Sequence, residues 1–63
     1  MTFAEQLIPP VAQMTPGEIV RLAIEFEVAV STVNRWCKGT AFPHPLLQKQ
    51  IIDFANYLVK DRV

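Results

Sequence analysis

Leu22-Ala23-Ile24-Glu25-Phe26-Glu27-Val28-Ala29-Val30-Ser31-Thr32-Val33-Asn34-Arg35-Trp36-Cys37-Lys38-Gly39 decides the fold. The stretch reads as the end of one helix, a tight turn, a second helix and a glycine stop. Leu22, Ala23 and Phe26 share a face of the first helix, because positions i, i+1 and i+4 lie close together on a 3.6-residue period. Val33 and Trp36 share a face of the second, and Val28 is placed to plug the angle between them. Two helices with such short facing stripes, joined by about four residues, pack at a steep angle, as in a helix-turn-helix.

The second helix leaves Ser31, Thr32, Asn34, Arg35 and Lys38 outside its apolar stripe, with no acid among them. These side chains suit a DNA major groove. Arg can donate two parallel hydrogen bonds to guanine and Asn can pair with adenine, while Ser, Thr and Lys reach bases or phosphates. Each has an ordinary structural reading as well. Ser31 and Thr32 can cap the helix, Arg35 can be a solvated charge, and Lys38 can complement the helix C-terminus. Trp36 reads as the core anchor of its helix rather than a stacking platform.

The run from Leu22 to Pro43 resembles the lambda-repressor-like (Cro/repressor, XRE-type) helix-turn-helix DNA-binding domains. Leu22-Ala23, Phe26, Val28, Ser31-Thr32-Val33, Arg35-Trp36, Gly39 and Pro43 carry the resemblance. It implies a small all-α domain of four to five helices with the helix-turn-helix at about 16–38. The function implied is a sequence-specific transcriptional regulator, most simply a repressor, that binds double-stranded DNA as a homodimer. Val30, Ser31, Asn34 and Arg35 would face bases; Thr32, Lys38 and Thr40 would lie nearer the phosphates. The family usually has Gly in the turn, where this chain has Glu27, and Ser or Thr as the cap of the second helix, where this chain has Ala29. Either the turn is rebuilt, or the helix begins later with Ser31 as its cap. The start of the first helix of the pair would sit over the DNA backbone, its free N–H groups suited to a phosphate.

The rest of the chain frames this unit. Sixty-three residues are expected to form a single domain over 1–63, small enough that its core is marginal. Yet 51% of residues are hydrophobic, more apolar surface than one small core absorbs. Thr2-x-x-Glu5 and Thr15-Pro16-Gly17-Glu18 are capping boxes, with Met14 and Ile19 placed as a hydrophobic staple on the second. They predict helix 1 at about 2–8, with Phe3, Leu7 and Ile8 as its apolar edge and Pro9-Pro10 as its stop. Val11 to Met14 is then a connector or a single helical turn, and helix 2 runs at about 16–26. Helix 3 spans about 30–38. A loop follows, with Phe42 as its anchor on the core. Helix 4, about 45–60, has Leu47, Ile51, Phe54, Ala55 and Leu58 as a core stripe. Leu46, Ile52 and Val59 lie off the stripe, so helix 4 is the expected dimer contact.

Net charge is zero, against the basic character usual in nucleic-acid binders. The charge is segregated, however: residues 1–27 carry −3 and residues 28–52 carry +3. The positive third holds the proposed recognition helix, and such a field can steer an anion to one face. Neutral charge, Glu27 and the apolar helix 4 also fit an alternative from another class, a protein-interaction module such as an antirepressor or assembly factor. No apolar run is long enough to span a membrane and no signal peptide is evident, so the expected location is the cytoplasm. Cys37 and His44 do not make a zinc site, which needs about four ligands. His44 reads as a loop residue or helix cap, and Cys37 as a plain thiol. No metal, cofactor, small-molecule effector or enzymatic activity is expected.

Overall fold

The computed structural model describes residues 1–62; Val63, the last residue of the expected domain, lies outside them. Four helices follow one another: α1 Phe3–Ala12, α2 Pro16–Glu25, α3 Val30–Lys38 and α4 Pro45–Leu58. There is no strand among the described residues. α1 packs on both α3 and α4, and α2 packs on the same two helices. The core lies where the four meet, and Leu7, Leu22, Val33 and Ile51, one from each helix, are fully buried. Trp36 fills the space beside them and meets the Phe3 ring edge to face, with centroids 6.0 Å apart.

Both capping boxes form. Thr2 accepts from the Glu5 N–H while Glu5 accepts from the Thr2 N–H, and Thr15 and Glu18 repeat the exchange at the start of α2. Met14 is buried and Ile19 packs against the same core, as expected for the staple.

Helix 1 does not stop at Pro9-Pro10. It continues to Ala12 with both prolines inside, and it absorbs the first residues of the expected connector. Each internal proline removes one intrahelical donor, so the carbonyls of Glu5 and Gln6 lose their usual partners. Both residues are exposed, and water can satisfy those groups. In return Pro10 is buried three residues after Leu7, with Val11 beside it against the core. The stripe of Phe3, Leu7 and Pro10 thus overrides the local stop. Ile8 falls outside it and is exposed.

Three apolar assignments near α4 also change. Phe42 does not anchor its loop, being 64% exposed. Leu47 is exposed, whereas Val59 is buried. The core-facing line of α4 runs through Ile51 and Ala55 and closes on Val59 just past the last turn, and Phe54 and Leu58 flank it. Phe54 touches Phe26 edge to face, tying α4 to the end of α2.

The connection between α2 and α3 occupies residues 26–29. The Val28 N–H donates to the Ala23 carbonyl and the Glu27 N–H to that of Ile24. This is a Schellman closure, which puts the residue after the helix in the left-handed region. Glu27 takes that place with φ 56. At the end of α3 the Thr40 N–H donates to the Arg35 carbonyl and the Gly39 N–H to that of Trp36. Gly39 has φ 76 there. The two helices end by the same device, one with glycine and one without.

No helix among the described residues is long and apolar enough to cross a membrane.

Candidate nucleic-acid interface

α3 begins at Val30 with Ala29 as its cap residue, and no side chain bonds the free N–H groups of its first turn. Neither Ser31 nor Thr32 caps it, so the turn is kept and Glu27 adopts the conformation glycine would favour. Buried Val33 and Trp36 fix which side of α3 faces inward. At 100° per residue, Ser31, Arg35 and Lys38 fall on the opposite side, with Asn34 beside them. All four are exposed. Val30 sits at one edge of this face, 37% exposed, and half-buried Thr32 at the other. The structure therefore brings four of the seven expected contact residues onto one outward face, with two more along its edges.

Thr40 lies apart from them, past the end of the helix. It is exposed, but its hydroxyl donates to the Arg35 carbonyl at 3.3 Å, so its proton helps to close α3.

Two ion pairs occur among the described residues, Lys49 with Asp53 and Arg62 with Glu18. Arg35 and Lys38 take part in neither. Both lie in the last turn of α3, where positive charge also complements the helix dipole.

The start of α2 offers less to an anion than the family resemblance implies. Thr15 accepts from the Glu18 N–H, the Glu18 carboxylate accepts from the Thr15 N–H, and Pro16 has no N–H to give. Glu18 also accepts from Arg62 Nη1 at 2.6 Å, joining residues 44 apart in sequence. The guanidinium and the capping bond hold the Glu18 carboxyl well below its ordinary value, at about 2. Arg62 thus balances the negative charge at this helix start. No local pattern in the sequence marks that pair.

His44 caps α4, its Nδ1 accepting from the Leu46 N–H at 3.1 Å. Cys37 is half-buried, and burial pushes its thiol pKa up, away from the reactive thiolate. No group of three or more His, Cys, Asp or Glu side chains able to hold a metal occurs among the described residues.

No family model, curated protein or solved structure matches this chain.

Proposed function

We propose that this protein is a sequence-specific DNA-binding regulator, most simply a repressor, whose residues 16–38 act as a helix-turn-helix of the lambda-repressor-like kind. One observation carries the reading. The outward face of α3 presents Ser31, Asn34, Arg35 and Lys38 together, without an acid, on a helix whose other side is locked into the core.

Nine residues of helix measure about 13 Å, and the major groove is about 12 Å wide. In this reading Arg35 reads guanine, Asn34 reads adenine or turns to the backbone, and Ser31 and Val30 meet base edges. Thr32 and Lys38 hold phosphates. Thr40 positions the end of α3; with its hydroxyl proton and its N–H both donated to the Arg35 carbonyl it has no donor left for a phosphate, and it drops out of the phosphate-contacting set in this conformation.

The functional unit is a homodimer assembled through α4. Two α3 helices then address half-sites about 34–36 Å apart on a near-palindromic operator.

The test is enrichment of a random duplex library by the purified protein at moderate salt, followed by sequencing of the bound pool. Recovery of a near-palindrome with half-sites one helical turn apart is the expected result. A pool with no enriched sequence, together with no salt-sensitive binding to bulk DNA, would overturn the reading.

A further inference from the structure

Two helices of this protein open on the same capping box, and only one of the two boxes receives a cation. At α1 the Glu5 carboxylate accepts from the Thr2 N–H at 3.1 Å and forms no ion pair among the described residues. At α2 the Glu18 Oε1 accepts from the Thr15 N–H at 2.9 Å and from Arg62 Nη1 at 2.6 Å. Capping needs no arginine, as Glu5 shows, so the guanidinium meets some other requirement of α2. Its delivery is built into the fold. Phe54 meets Phe26 and Arg62 meets Glu18, so the later part of α4 and the turn after it run back along α2 from its end to its start. Val59 is buried just past the last turn of α4, and the Arg62 N–H donates to the Val59 carbonyl at 2.9 Å, closing the turn that brings the side chain to Glu18.

We propose, on the reading of residues 16–38 as a DNA-docking helix-turn-helix, that Arg62 is a positioning residue for DNA binding: it neutralises the Glu18 carboxylate so that α2 can approach the phosphate backbone. In a docked helix-turn-helix the first helix crosses that backbone while the second enters the groove. An acid on a free side chain can swing away from an approaching phosphate. Glu18 cannot, because the Thr15 N–H pins its carboxylate and its side chain is only 19% exposed. A fixed negative charge within a Debye length, about 8 Å, of a phosphate is a standing repulsion. A fixed counter-charge removes it without giving up the cap.

The other acids fit the same account. Glu25, Glu27 and Asp61 are exposed and form no ion pair among the described residues, so each can turn aside. Glu5 is pinned as Glu18 is, but α1 lies outside the docking unit, and its box is left without a cation. Arg62 stays on Glu18 in the complex and does not itself bond a phosphate. Its part is to cancel one charge at one place.

The experiment is duplex binding by fluorescence anisotropy at low and at high salt, with the duplex enriched in the library experiment as probe. Arg62→Ala should weaken binding roughly threefold to tenfold at low salt, and by less at high salt. Glu18→Gln keeps the capping box, in which Gln serves as Glu does; added to Arg62→Ala it should bring affinity back to within about twofold of the wild type. Arg62→Lys should retain affinity, and Glu5→Gln should leave it unchanged. Circular dichroism should be the same for every variant. Without DNA, carboxyl NMR should find Glu18 titrating at about 2 in the wild type and moving toward 4.5 in Arg62→Ala. An Arg62→Ala protein that binds like the wild type, a double variant as weak as Arg62→Ala, or a wild-type Glu18 titrating near 4.5 would overturn the inference. The second of these would make Arg62 a direct phosphate contact or a structural latch. A wild type that binds no duplex removes the DNA-binding reading and this role of Arg62 with it, whereas the other three results leave that reading standing.

Discussion

Replacing Glu27 with glycine should stabilise the protein, and the size of the gain follows from one backbone angle. Glu27 sits at φ 56 in the turn between α2 and α3. A side chain in the left-handed region costs about 1–2 kcal/mol, because Cβ crowds the following carbonyl. Glycine avoids that cost but loses more freedom on folding, an offset of about 0.4–1 kcal/mol. The net gain expected for Glu27→Gly is about 0.5–1 kcal/mol. For a domain of this size each kcal/mol moves Tm by about 4–8 °C, so a thermal melt should shift upward by about 2–8 °C. Glu27 is exposed and forms no ion pair among the described residues, so no side-chain contact is lost. Two controls isolate the backbone effect. Glu27→Ala removes the charge but keeps the strain, and should leave Tm nearly unchanged. Gly39→Ala introduces the same strain at φ 76, where an added Cβ meets nothing within 4 Å, and should lower Tm by a similar amount. An unchanged or lower Tm for Glu27→Gly would refute the reasoning. A gain matched by Glu27→Ala would trace the effect to charge instead.

The uncapped start of α3 predicts that Ala29→Ser adds about 0.5–2 kcal/mol, read from the urea midpoint, by supplying the missing acceptor. Acid should weaken the fold through Glu5 and Glu18, both of which accept from a backbone N–H and have lowered pKa values. Their contribution is complete above the unfolded value near 4.5 and is lost as pH falls toward about 2 for Glu18. The urea midpoint should therefore hold from pH 7 to 5 and drop below 4.5, and Arg62→Ala should shrink that drop. On an enriched operator, Arg35→Ala should cost about 1–3 kcal/mol and relax preference at one base position, measured by competition binding. Lys38→Ala should weaken all sequences alike and reduce the salt slope by about 1 per subunit, about 2 for the dimer. Equal weakening on every sequence by Arg35→Ala would make Arg35 a phosphate contact.

The helix boundaries legible in the sequence were those with a local mechanism. Thr15, Pro16 and Glu18 define the start of α2, and Gly39 the end of α3, through bonds within a few residues. α1 runs past its expected end because a local rule meets a tertiary one. Pro9 and Pro10 argue for a stop, but Phe3, Leu7 and Pro10 keep a 3.6-residue period, and burial of that stripe outweighs two lost hydrogen bonds. Phe42 and Val59 exchanged their expected environments for a related reason. Apolar character says that a residue gains from burial, not that the chain geometry lets it reach the core. On α3, the identities of Val33 and Trp36 sufficed to place Ser31, Asn34, Arg35 and Lys38 outward. The Glu18–Arg62 pair joins chain segments 44 residues apart, and nothing local to either residue announces it.

The charge distribution constrains how the proposed regulator could work. Of the six basic residues, Lys49 and Arg62 are committed to carboxylates and Lys60 lies over Tyr57, which leaves Arg21, Arg35 and Lys38 uncommitted among the described residues. Each phosphate neutralised contributes about 0.9 to the salt slope. A subunit holding one or two phosphates gives a dimer slope of only about −2 to −4, a small non-specific term. Discrimination must then come from the base contacts of Asn34 and Arg35 and from joining two subunits on one site. In the proposed homodimer the second source would be concentration-dependent: single subunits would bind poorly, and the pair would gain both half-sites at once. Occupancy should therefore rise steeply with protein concentration near the dimer dissociation constant. Such a protein would switch on its own abundance, with no ligand pocket required.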